Sequence, residues 1–268
     1  MIQSSKNLGD QFDMVEDRDS WVAFLNELKA QGMDVTREGL NLDNLPAGDV
    51  RGTAAALHFW VTRPESQTVQ KDAALYYGMC LVELAGACHA AGQSPEGNMP
   101  LLNEAVRVLY IAADFIQAKA EASLPVYTLD VLMEGRKLAA VGNHVVRFAR
   151  HYKMLRLETQ GLHIQLNGIL SVDSHHRELV GPAMTALADA FEREGLTDQA
   201  AAYYEAICAD FNDFVRDVIL PGSGTAVEDQ TTMKSLLTAY ERLQELKPET
   251  DRIDAELYSQ LQSRIIDQ

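Results

Sequence analysis

Apolar residues recur along most of this chain at intervals of three and four, the spacing that gathers side chains onto one face of an α-helix. The sharpest instance lies between 182 and 213. Met184, Leu187, Ala188 and Phe191 stand at i, i+3, i+4 and i+7, and Gly195 ends their helix. A second stripe follows in Ala200, Tyr204, Ile207 and Phe211, with Thr197 or Asp198 placed to cap it. Small Ala188 and Ala200 fall where two helices folded back on each other must approach closely. Phe191 and Tyr204 fill the space beside them.

The same period organises the rest. Residues 1–16 sustain no period and are expected to be loose or to lie over the surface. A helix starts near Asp17–Ser20, with Trp21, Phe24, Leu25 and Leu28 on one face and Gly32 as its stop. Residues 34–48 read as a connection, and Asp49 can cap a further helix that ends before Pro64. Long helices from about Val69 to Ala91 and from Met99 to about Ala122 flank the turn-rich Gly92–Asn98. Leu124–Pro125 opens the next, which Gly142 interrupts, and the period resumes through Val145, Phe148, Tyr152, Leu155 and Leu162 and fades by Gly168. Asp173 or Ser174 can cap a turn leading to Pro182, which suits a first helical turn. After a Pro221–Gly224 loop come two helices, Val227–Leu246 and Thr250–Ile266, separated by Pro248. Leu236, Leu237, Tyr240 and Leu243 are expected to face Ile253, Leu257, Leu261 and Ile265. No stretch alternates in the manner of a strand. The expected architecture is all-α: nine to ten helices in antiparallel pairs, stacked as a superhelix or a compact bundle, with 17–268 as a single domain.

The spacing in 182–213 resembles a tetratricopeptide repeat, a helix–turn–helix unit with this large–small–aromatic order. Met184 stands where that family usually has Trp, Thr197 where it often has Tyr, and Asn212 where it usually has Pro. A degenerate second copy spans about 78–114, where Leu84, Ala85, Cys88 and Gly92 echo Leu187, Ala188, Phe191 and Gly195, and Ala105, Leu109 and Ala112 echo Ala200, Tyr204 and Ile207. The resemblance implies a binding scaffold rather than chemistry. In the matched unit the groove-facing positions would be Thr185, Asp189, Glu192 and Arg193, a mixed and acidic face suited to a polar or basic segment.

Charge narrows the partners. With 23 Lys+Arg against 39 Asp+Glu in 268 residues the net charge is −16, which repels nucleic acid and anionic membrane. The first residues hold one Lys and no apolar core of the kind a secretory signal needs, and charges interrupt the most apolar stretches. Cys80, Cys88 and Cys208 lack a CxxC spacing and sit in apolar helical stretches, as reduced thiols of a cytoplasmic protein do.

Against that background one stretch reverses sign. Between Gly135 and Leu157 stand Arg136, Lys137, Arg147, Arg150, Lys153 and Arg156, with His144 and His151 and no acid at all. If Gly142–Leu157 is one helix, Asn143, Arg147, Arg150 and Met154 share a polar stripe with His151 beside it. Such a stripe can hold a carboxylate, a phosphate or a peptide C-terminus through Arg forks, or pair with acids of the chain itself. Other chemistry finds little footing. No Glu-x-x-His pair, His-Glu-x-x-His, nucleophile elbow or phosphate loop occurs. Asp173-Ser-His175-His176 reads as a metal-capable or capping segment. The pairs Tyr76–Tyr77 and Tyr203–Tyr204 serve as core, or as an aromatic floor for a peptide. Two functions remain: a cytoplasmic protein-interaction module without enzyme activity, metal or cofactor, which can also self-associate, or a helical enzyme or small-ligand sensor with a polar pocket between its long helices.

Overall fold

Stripes of apolar residues at helical spacing become helices throughout the described part of the chain. The computed structural model describes residues 67–90, 94–124, 128–222 and 226–266. The expectations for 1–16, for helices near 17–32 and 49–63, and for the tip of the loop at Ser223–Gly224 fall outside those residues. The helices are α1 (Gln67–Ala90), α2 (Pro95–Ser123), α3 (Leu129–His151), α4 (Leu155–Asp173), α5 (Arg177–Arg193), α6 (Thr197–Phe214), a π-helical turn (Val215–Ile219), α7 (Val227–Leu246) and α8 (Ala255–Ile266). No strand occurs among the described residues, and the fold is all-α. None of the described helices is long and apolar enough to cross a membrane.

The chain forms two compact units, 1–145 and 146–268, and the division falls within α3. In the first, α1 packs along α2. Ala85, Leu102, Ala105 and Leu109 are fully buried there. A Cβ at Gly78 would stand 2.5 Å from the Leu109 side chain, so only glycine lets the two helices come this close. Lys119 of α2 pairs with Glu134 of α3 at 2.8 Å, and the Lys137 ammonium sits 5.0 Å from the centre of the Tyr76 ring.

In the second unit α5 and α6 form a tight hairpin, α7 packs on both of them, α4 on α5, and α8 on α7. No pair buries its apolar stripe alone, and each next helix covers what the previous pair leaves open. Tyr204, Phe211, Tyr240, Leu243 and Leu261 make the centre of this core. Ala188 and Ala200 are fully buried at the hairpin crossing. Phe191 stacks on half-buried Tyr203, ring centres 5.7 Å apart, while Tyr204 turns inward. At Gly181 a Cβ would meet Phe211 and Ser235 at 2.7 Å each, marking the closest approach of α5 to α6 and α7.

Several boundaries differ from the sequence reading. Gly142 does not interrupt α3: it is buried in a continuous helix, where a glycine costs only about 1 kcal/mol. The break lies at 152–154, so Met154 is not on the stripe of Asn143, Arg147 and Arg150. Asp173 and Ser174 end α4 rather than cap a new turn, and α5 begins at Arg177, leaving Pro182 inside the helix. Pro182 removes one N–H from the ladder, opposite the Glu178 carbonyl, and its exposed ring disturbs no packing. Thr197 and Asp198 belong to the first turn of α6, and Leu196 precedes it without a side-chain cap. Pro95–Asn98 is helical, with Pro95 at the first position of α2. The last helix starts at Ala255, not Thr250. Asp254 caps it, its Oδ1 accepting from the N–H groups of Glu256 and Leu257 at 3.0 Å.

Candidate functional site

Two helix ends in the second unit share one backbone device. After α5, the Leu196 N–H donates to the Phe191 carbonyl and the Gly195 N–H to that of Glu192, both at 2.9 Å, with Gly195 left-handed at φ 77°. After α3, the Met154 N–H donates to the Ala149 carbonyl at 2.8 Å and the Lys153 N–H to that of Arg150 at 3.2 Å. Here the left-handed residue is Lys153, at φ 55°. A side chain with a Cβ in that conformation costs about 1–2 kcal/mol relative to the right-handed one, which is why glycine usually takes the position.

That turn opens one side of a cleft of about 660 Å³ lined by Arg150, Lys153, Leu155, Glu158, Ala186, Asp189 and Arg193. Its floor is an ion pair built from three elements. Glu158, on the first turn of α4, keeps only 6% of its side chain exposed. Arg193 of α5 donates to both its oxygens at 3.0 Å, and the Arg150 Nε at the end of α3 adds a third bond at 2.8 Å. Burial pushes the Glu158 carboxyl up, but the two guanidinium groups outweigh it and hold it below the ordinary carboxylate range. Arg193 is spent in this arrangement, because its Nε donates to the Asp189 carbonyl at 3.4 Å. Arg150 is not spent. Its Nη1 and Nη2 bond to no protein group among the described residues, and 60% of the side chain is exposed. The Lys153 ammonium likewise has no ion pair among the described residues.

The other face of α5 is closed by a second network. The buried Tyr204 hydroxyl lies 2.6 Å from Asp189 Oδ1 and 2.9 Å from Glu192 Oε1. Arg242 of α7 grips Glu192 with Nε at 3.0 Å and with Nη2. Burial again raises Glu192, and the bonds from Arg242 and Tyr204 lower it further than burial lifts it. The Thr159 hydroxyl bonds to Glu194 and ties α4 to the end of α5.

Of the residues singled out in the sequence, the cleft brings together Arg150, Lys153, Asp189 and Arg193. Glu192 faces Tyr204 and Arg242 instead. The Thr185 hydroxyl is buried with no hydrogen-bond partner among the described residues. His151 is exposed, 5.3 Å from the Tyr152 ring, and Arg147 is exposed one turn before Arg150. Asn143 lies further back on α3, in the first unit. At the α4–α5 junction the His175 and His176 rings lie 4.2 Å apart, and His176 Nδ1 is 2.8 Å from Glu178. Among the described residues no three His, Cys, Asp or Glu side chains gather closely enough to hold a metal. Glu158, Leu155 and Ala186 were not marked as site residues. Glu158 had a signal: it is the first acid after the acid-free stretch. No family model, curated protein or solved structure matches the chain.

Proposed function

We propose that this chain is a non-enzymatic protein-interaction module of tetratricopeptide-like build, an adaptor or regulatory scaffold whose partner segment docks in the cleft where the end of α3 meets α4 and α5. The observation that carries the reading is the cleft itself. It is open, its walls are helices locked by the Arg150–Glu158–Arg193 and Tyr204–Glu192–Arg242 networks, and it offers side chains that recognise rather than react. The stacking of α7 on both helices of the α5–α6 hairpin supports the repeat-like build, since helical repeats join successive pairs in this way.

The test is affinity capture with the tagged full-length chain, run beside Lys153→Glu. Lys153 is preferable to Arg150 for charge reversal, because Arg150 also holds Glu158 and its loss would disturb the fold. A protein retained by the original chain and lost by the variant supports the reading. Retention of the same proteins by both removes the cleft from the interaction.

A further inference from the structure

Building on the reading of the cleft as a docking site, we infer that its specificity element is a phosphate monoester site, made by the outward edge of Arg150 and the ammonium of Lys153, that takes a phosphorylated side chain of the partner segment. The cations of the cleft outnumber its acids. Glu158 is satisfied by Arg193 through both oxygens, and Asp189 keeps its charge beside the neutral Tyr204 hydroxyl at 2.6 Å. Against Asp189 stand two further cations, Arg150 and Lys153, so the balance is positive. The Arg150 Nε is anchored on Glu158 at 2.8 Å, which fixes the plane of the guanidinium and leaves Nη1 and Nη2 as a fork with no partner among the described residues. Lys153 adds a point charge three residues on, and exposed Arg147 stands one turn back along α3. A dianion with three acceptor oxygens satisfies a fork and an ammonium together, whereas a carboxylate satisfies the fork alone.

The backbone points the same way. Gly195 fills the equivalent left-handed position after α5, while after α3 the chain places a lysine at φ 55°, where glycine is the easier residue. A strained residue that presents an unpaired charge to a cleft is the pattern of a functional position.

The full-length chain is titrated with inorganic phosphate and, at equal ionic strength, with acetate, by NMR following the amides of 150–158. The expected result is saturable phosphate binding localised to those amides, with acetate weaker by about tenfold or more. Lys153→Gly keeps the turn, since glycine adopts this φ without strain, and should weaken phosphate binding about tenfold while the thermal midpoint holds or rises. Phosphate and acetate binding alike, or Lys153→Gly binding phosphate as tightly as the original chain, overturns the inference. Phosphatase treatment separates it from the wider reading. A captured partner released by phosphatase supports the phosphate site; one that stays bound after phosphatase yet is lost with Lys153→Glu overturns it and leaves the interaction module standing.

Discussion

Replacing Glu158 by Gln tests the floor of the cleft, because it keeps the shape and removes the charge. Glu158 accepts three bonds from two guanidinium groups, and a buried hydrogen bond to a charged group contributes about 1.5–3 kcal/mol net. The carboxyl is 6% exposed, but Arg150 and Arg193 are 60% and 50% exposed and regain water when released. That rehydration keeps the three contributions from adding in full. Glutamine retains one acceptor oxygen and turns its NH2 toward a donor. The expected net loss is about 2–3 kcal/mol, at or below the lower end of the ~3–5 kcal/mol that follows when one partner of a fully buried pair is removed. Urea denaturation at pH 7 measures it. Because the folded-state pKa of Glu158 lies below the ordinary value, its contribution is complete above about pH 4.5 and is lost as pH falls through that lowered value. The gap between the original chain and the variant should therefore narrow progressively below about pH 4. A loss under about 0.5 kcal/mol at pH 7, or a gap that persists unchanged in acid, would refute the account of the cleft floor.

The remaining expectations concern packing and reactivity. Gly181→Ala should destabilise by about 1–3 kcal/mol, since a methyl 2.7 Å from Phe211 and Ser235 forces helices apart and a helix-propensity gain of about 1 kcal/mol does not offset it. Gly195→Ala, with nothing among the described residues within 4 Å, should cost only the backbone conformation, about 1–2 kcal/mol; calorimetry that finds Gly181→Ala as stable as the original chain would contradict the crossing geometry. The Cys208 thiol is fully buried, and burial pushes it up to about 12. Mass spectrometry of the Cys208 peptide after alkylation at pH 8 should show labelling only with unfolding; rapid labelling of the native chain would contradict its burial.

How far the sequence was legible follows from the range of the interactions involved. The α5–α6 hairpin, the buried faces of α7 and α8 and the role of Gly195 were readable, because local periodicity and turn chemistry carry them. Gly142 and Pro182 misled, because a single breaker is tolerated where neighbouring helices pack well, and neither residue announces that context. The π-turn at 215–219 left no local mark. It follows α6 directly, and its Val215 and Ile219 are buried in the same core, so packing decides it. The positive stretch was visible as composition, but its division was not. Glu158 draws in Arg150 and Arg193 by contacts across eight and thirty-five residues, whereas Lys153 is set apart by a left-handed turn that no glycine signalled.

The central claim is that a partner segment lies in the cleft between the end of α3, α4 and α5, and Ala186→Trp tests it without touching a charge. Ala186 lines the cleft from α5, so an indole there fills the space a ligand would use. The measurement is the Kd of the captured partner for the original chain and for Ala186→Trp, with the thermal midpoint of each as a control. The account predicts affinity weaker by about tenfold or more, some 1.4 kcal/mol, with folding intact. Equal affinities in two equally stable proteins would place the partner elsewhere and contradict it.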